Sequence, residues 1–207
     1  MNTLSADRAH WDEVYSGKAE EAHSWFQADP AISLELIGRY APSLGAPIID
    51  IGAGTSRLVD ALLAAGHSDI TLLDLSEQAL DAVRNRIGRN STTVRMIATD
   101  LRQWTPLRSY AVWHDRAVLH FLTDSEGQHA YVEALTTGTG TGSTVIISAF
   151  APDGPERCSG LPVRRYSAAD LAVLLGEPFD LVECRKEEHL TPGGVTQHFV
   201  ITVFRRL

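Results

Sequence analysis

An α/β fold, with a largely parallel sheet covered by helices on both faces, is predicted by two features of the chain. Short apolar runs alternate along the sequence with segments of helix length. One of those runs, Pro47-Ile48-Ile49-Asp50-Ile51, passes without a gap into Gly52-Ala53-Gly54. A strand covered on both faces needs apolar side chains at consecutive positions, and Ile48, Ile49 and Ile51 supply them. The two glycines let the chain turn tightly. Thr55 and Ser56 are then placed to cap a helix starting at about Arg57, so free backbone N–H groups and a positive dipole end face the space above the strand. The stretch reads as a nucleotide-binding turn.

The remaining elements follow in order. Trp11, Val14 and Tyr15 share one helical face in the segment Ala9 to Phe26, which reads as a cap; Trp11 is expected to pack that helix onto the body. Asp29-Pro30 opens a second helix that ends before Pro42. A helix from about Arg57 to Ala65 closes on Gly66, and a strand, Ile70 to Leu73, delivers Asp74 at its end. Ser76 starts the next helix, which runs to about Arg89. Val94 to Ala98 is a third strand ending in Thr99-Asp100, and Tyr110 to Trp113 a fourth, ending in His114-Asp115-Arg116. A helix from about Asp124 to Thr136 leads into Thr136 to Gly142, read as a flexible connector, and then to a fifth strand, Ser143 to Ala149. After the Pro- and Gly-rich loop Pro152 to Pro162 come a helix, Ser167 to Leu175, and a hairpin. Its strands are Leu181 to Arg185 and His198 to Phe204, joined through Thr191-Pro192-Gly193-Gly194.

The 207 residues fit one domain, with residues 1–45 as N-terminal cap helices and residues 46–207 as the sheet core. Apolar runs fall far short of a membrane span, and no basic stretch followed by an apolar one marks the N-terminus, so a cytoplasmic protein without a membrane partner is expected. Cys158 and Cys184 lack metal-site spacing, and no metal is expected. A formal charge of -8 argues against a nucleic-acid partner. Lys18 and Lys186 are the only lysines, against sixteen arginines. That rules out a P-loop, which needs Lys directly after its glycine turn, and a Tyr-x-x-x-Lys hydride-transfer site.

A glycine turn followed about 20 residues later by an acid at a strand end suits either a nicotinamide dinucleotide or S-adenosylmethionine. Asp100 favours the second, because it offers a carboxylate where an adenine amino group would lie in a mononucleoside ligand. Arg57 agrees, since it stands where a dinucleotide fingerprint wants its third glycine. A positive charge there opposes the helix dipole and calls for a compensating anion, for which the donor's carboxylate is one candidate.

The chain resembles class I S-adenosylmethionine-dependent methyltransferases over nearly its whole length. Its W-D-x-x-Y opening, later tryptophan and D-R-A after the fourth strand are similar to the thiopurine methyltransferase group. Its G-A-G-T-S turn also resembles the G-C-G-N-S turn of eukaryotic protein-lysine methyltransferases. The resemblance implies a Rossmann-like seven-stranded sheet in the order 3-2-1-4-5-7-6 with strand 7 antiparallel. It also implies donor-binding roles: Asp50, Gly52 and Gly54 at the methionine end, Asp74 with Leu75 at the ribose, and Asp100 with Leu101 at the adenine. Trp25 could present an aromatic face to the sulfonium.

Catalytic candidates lie at the end of the fourth strand. Asp115 could take a proton from the acceptor or order it, Arg116 could hold an anionic part of it, and His114 is a third candidate because histidine as a residue type can take or give a proton. His120, in an apolar stretch, is expected to be a satisfied core histidine, and Cys158 a wall residue. The expectation is a methyltransferase acting on a small-molecule nucleophile such as a thiol. A protein-lysine methyltransferase and a non-catalytic adenosyl-binding module stand as alternatives.

Overall fold

Alternation along two central strands sets the architecture of the computed structural model, which describes residues 3–207. On β1 (Ile48–Ile51), Ile48 and Asp50 face one side of the sheet while Ile49 and Ile51 face the other, and all four are buried. Flanking it are β2 (Ile70–Asp74), buried at every position, and β4 (Tyr110–Arg116), both parallel to β1. β3 (Val94–Ala98) extends the sheet beyond β2, and β5 (Thr139–Phe150) lies beyond β4. The chain ends in β6 (Phe179–Leu190) and β7 (Thr196–Arg206), and β7 inserts antiparallel between β5 and β6. The seven strands therefore run in the order β3-β2-β1-β4-β5-β7-β6, as the resemblance implies.

Helices cover both faces. α2 (Ala31–Tyr40), α3 (Leu58–Ala64) and α4 (Glu77–Ile87) pack Leu36, Leu62 and Leu80 against Ile48, Leu72 and Val112. α5 (Ser125–Gly138) and α6 (Ala168–Leu175) pack Tyr131, Leu135 and Leu171 against Ile49, Trp113 and Ile147. Side chains set the helix starts: Ser76 accepts from Ala79 N–H, Asp124 accepts from Gly127 N–H, and Ser167 forms a capping box with Asp170. α3 differs from expectation, because its N-cap is Arg57 with no side-chain cap bond. Ser56 Oγ instead accepts from Leu58 N–H at 3.1 Å.

The Thr136–Gly142 segment is not a flexible connector. α5 runs through Gly138 and β5 starts at Thr139. A Cβ on Gly138 would press on Trp113 and Pro106, so glycine is needed there for close packing. The small polar residues bond the bend internally: Thr139 donates to Leu135 O at 2.7 Å, and Ser143 Oγ donates to Tyr110 O at 2.8 Å. The terminal strands are also longer than expected. The residues added to β6 after Arg185 open with the charged run Lys186-Glu187-Glu188 on an edge strand, which hides them from an apolar pattern and blunts edge pairing.

The N-terminal segment lies across the carboxyl ends of the strands. α1 (Thr3–Gly17) is held there by Asp12 Oδ1, which accepts from Ser76 Oγ at 2.6 Å, and by Asp7 Oδ2, which accepts from Arg102 Nη2 at 2.7 Å. The 3-10 turn Glu20–Ala22 is held by Glu20, which pairs with Arg57 at 2.5 Å and Arg86 at 3.0 Å. No helix of the described residues is long and apolar enough to cross a membrane.

Candidate active site

The cap encloses a cleft above the carboxyl ends of β1 to β4, and the glycine turn forms its floor. Gly52 and Gly54 have φ of 60° and 51°, backbone that side chains rarely adopt. Space forbids a side chain as well: a Cβ on Gly52 would collide with Val118, and one on Gly54 with the Tyr15 hydroxyl. The turn is tied to β2 through Gly54 N–H, which donates to Asp74 Oδ2 at 2.7 Å. Asp74 Oδ1 accepts from Ser76 N–H at 2.8 Å. One carboxylate thus fixes both the turn and the start of α4, and each of its oxygens keeps a lone pair for a ligand. Burial pushes Asp74 up to about 6, against the lowering effect of those N–H groups.

The main cleft has a volume of about 1030 Å³ including its mouth. Its lining includes Asp7, Asp74, Leu75, Asp100, Leu101 and Arg102, and also Trp11, Phe121, Leu122, Cys158 and Leu161, of which Phe121 and Cys158 cluster with Trp25. A smaller chamber of about 570 Å³ is lined by Asp50, Ser33, His114, Gly54 and Arg57. Tyr15, Trp25, Gly52 and Arg116 line both spaces and so stand where the two meet.

The sequence-predicted residues divide as follows. Trp25, Asp50, Gly52, Gly54, Arg57, Asp74, Leu75, Asp100 and Leu101 all lie on the cleft or the chamber. Asp100 is already charge-paired, since Arg102 donates through Nε at 3.0 Å and Nη2 at 2.6 Å. The anion that Arg57 requires is supplied by Glu20.

The fourth-strand candidates need correction. Side chains alternate across a strand, so the run His114-Asp115-Arg116 is split between the two faces. Asp115 faces α5, away from the cleft. It is fully buried and accepts from Val118 N–H at 2.9 Å and Leu119 N–H at 3.1 Å. Burial raises it to about 6, opposed by the Val118 N–H and then the Tyr131 hydroxyl. Its place is structural, bracing the turn after β4, and it forms no ion pair with Arg116 among the described residues. His114 does not line the main cleft either. It is buried between Asp50 and Ser33.

Arg116 does reach the junction of the two spaces. Its Nη1 donates to Trp25 O at 3.1 Å, and its guanidinium lies 4.8 Å from the centre of the Phe199 ring. His120 is in the core but unsatisfied: it packs on Phe121 and Phe150, neither ring nitrogen has a partner, and burial lowers its pKa to about 3.

Sequence reasoning underrated the cap. Trp11 packs against Trp25 and Phe121, as expected, but its ring also lines the cleft. Tyr15 lies against Gly54, and burial, then Asp74, raises its pKa well above the ordinary value. The spacing of Trp11 and Tyr15 signalled a shared face but not what that face covers. Cys158 is a wall residue, and burial pushes its thiol up to about 11.

Strand order, the inserted antiparallel β7 and a cleft over the β1 turn define a Rossmann-like methyltransferase architecture. Residues 48–142 match the family model described as a methyltransferase domain. No curated protein matches it in sequence. Among solved structures, the chain is similar to a SAM-dependent methyltransferase from Anabaena variabilis, with a TM-score of 0.77 at 13% identity, covering 100% of this chain and 96% of the other. It is also similar to a protein described for the conversion of a disulfide bond into a thioacetal group during echinomycin biosynthesis, with a TM-score of 0.75 at 20% identity and coverage of 96% and 92%. A third is 1,6-didemethyltoxoflavin-N1-methyltransferase from Burkholderia thailandensis, solved with 1,6-didemethyltoxoflavin and S-adenosylhomocysteine. Its TM-score is 0.69 at 19% identity, with coverage of 99% and 85%.

Proposed function

We propose that this chain is a methyltransferase that carries the methyl group of S-adenosylmethionine to a soft heteroatom, a thiol in the first instance, of a small and largely apolar molecule. The donor is S-adenosylmethionine, which supplies an electrophilic methyl on a sulfonium. The cradle fits it: a floor without Cβ atoms, an acid at the end of β2, Asp100 and Leu101 beyond it, and a separate chamber with a carboxylate for an amino-acid tail. Asp74 would hold the ribose hydroxyls and Asp50 the methionine ammonium, with Trp25 at the junction where the two chambers meet.

The observation that carries the reading is the chemistry of the cleft wall around Cys158. Trp11, Trp25, Phe121 and Leu161 make it apolar and aromatic, and Arg116 lines the same cleft as a cation. Among the described residues, no histidine or carboxylate belongs to this aromatic wall: Asp115 is sealed off, and Cys158, raised to about 11, stays a neutral thiol and does not compete for the methyl. An acceptor must therefore arrive already nucleophilic near neutral pH, and Arg116 favours an anionic one, as a thiolate is. Transfer is a direct displacement, so the side chains align the reactants and exclude water. Alignment contributes roughly 7 to 11 kcal/mol when the geometry is right. The W-D-x-x-Y residues Trp11, Asp12 and Tyr15, with Trp25, support placing the chain beside the thiopurine methyltransferase group.

The test is incubation with methyl-labelled S-adenosylmethionine and three acceptor panels: aromatic thiols, non-thiol heterocycles and basic protein substrates. Label on thiols is the expected result. Label on protein lysine alone would replace the reading, and S-adenosylmethionine binding with no transfer to any panel would favour a binding module.

A further inference from the structure

We infer that His114 and Ser33 are positioning residues for the amino-acid end of the donor, acting through Asp50. The inference rests on the donor reading above. Asp50 and His114 sit side by side on β1 and β4, paired in register and facing the same side of the sheet. His114 Nδ1 is 2.6 Å from Asp50 Oδ1, and His114 Nε2 is 2.9 Å from Ser33 Oγ on α2. All three residues are buried, with exposures of 4% for Asp50, 2% for His114 and 9% for Ser33. All three line the chamber beside the glycine turn.

The proton positions follow from the partners. A carboxylate oxygen can only accept, so Nδ1 carries the hydrogen and donates it to Asp50. We assign the second contact as Ser33 donating its hydroxyl proton to Nε2. The chain then runs from Ser33 to His114 to Asp50, and it holds the carboxylate by Oδ1 alone. Oδ2 has no hydrogen-bond partner among the described residues, although the carboxylate faces the chamber. A buried carboxylate with one oxygen pinned and the other open suits a ligand ammonium. His114 and Ser33 act through Asp50: they fix which oxygen is presented and in what direction.

The test compares S-adenosylhomocysteine with 5′-methylthioadenosine, which keeps the nucleoside but lacks the amino-acid tail, by calorimetry on the full chain. His114→Ala is expected to weaken S-adenosylhomocysteine by about ten- to a hundredfold, the range of one charge-assisted hydrogen bond, and to leave methylthioadenosine within about twofold. Asp50→Asn should do the same, and the double variant should bind no more weakly than Asp50→Asn alone. His114→Asn, whose side-chain amide can replace the Nδ1 donor, should restore most of the loss. Equal weakening of both ligands, or none of either, would overturn the inference. Failure of the unaltered protein to bind either ligand would instead remove the donor reading beneath it. Nitrogen NMR of the His114 ring in the unaltered protein supplies a check free of folding defects. Hydrogen on Nδ1 and none on Nε2 is expected, and the opposite tautomer would contradict the chain of bonds.

Discussion

Gly54 combines a φ of 51° with a Cα that faces the Tyr15 hydroxyl, so a methyl group there strains the backbone and also displaces the cap. Gly142 makes a control, because its φ of 86° is equally unfavourable while its surroundings are open. Both alanine variants should lose roughly 1–2 kcal/mol of stability from the backbone. Gly54→Ala alone should also lose donor affinity, measured by calorimetry beside thermal melts; equal affinity in both variants would refute the role of close packing. Asp74 offers a pH test. Its pKa, raised to about 6 from an ordinary value near 3.8, means the free site takes up a proton as pH falls through about 6. The ionised carboxylate accepts from ribose hydroxyls more strongly than the protonated acid, which turns one acceptor oxygen into a donor, so nucleoside affinity should be full above that pH and decline below it. Methylthioadenosine titrations across this window read the effect without the amino-acid tail, and a flat profile would remove Asp74 from the ribose. For Asp115, Asn can accept only one of the two N–H groups that the carboxylate now serves. Asp115→Asn should therefore cost about 1–3 kcal/mol of stability while turnover at low temperature stays near the unaltered value. A large fall in turnover with unchanged melting would return Asp115 to the chemistry. Gly52, Gly54 and Asp74 were legible in the sequence because strand, turn and strand-end acid follow one another along the chain. The role of His114 was not, because Ser33 and Asp50 lie 81 and 64 residues away in sequence.

At the scale of elements, the cap is joined to the donor end of the cleft through side chains that serve both. Ser76 caps α4 and donates to Asp12 on α1; Arg102 pairs with Asp100 beside the cleft and with Asp7 on α1. Binding at that end and docking of α1 are therefore coupled. Asp12→Ala removes a single hydrogen bond, worth about 0.5–1.5 kcal/mol, and should weaken the donor by up to about tenfold with turnover at saturation unchanged. Saturating S-adenosylhomocysteine should also slow proteolysis within α1, and equal cleavage rates with and without it would break the coupling. The helices of the core were legible from their apolar spacing and caps. The junction of α5 and β5 was not, since Gly138, Thr139 and Ser143 carry turn-forming chemistry that is spent on packing against Trp113 and bonding to Tyr110.

At the scale of the molecule, the sheet brings residues from four strand ends and the N-terminal segment around one cleft. The strand order reverses between β1 and β4, so the loops after these two strands diverge and leave a crevice, and the glycine turn opens into it. This much could be read from the alternation of strands and helices. That the N-terminal segment caps the crevice could be read as well, but not which walls Trp11, Tyr15 and Trp25 meet, because those rings carry no signal of the surface they pack on. The split of His114, Asp115 and Arg116 between the two faces of β4 was available from period-two geometry, but only once the strand was known to continue past Trp113.

The account depends on an adenosyl donor occupying that crevice. Calorimetry with S-adenosylhomocysteine and reduced nicotinamide dinucleotide in parallel, on the unaltered protein and on Asp74→Ala, tests this most directly. One S-adenosylhomocysteine per chain should bind, Asp74→Ala should abolish that binding, and the dinucleotide should give no heat of binding. Binding of the dinucleotide alone, or S-adenosylhomocysteine affinity unchanged by Asp74→Ala, would contradict it.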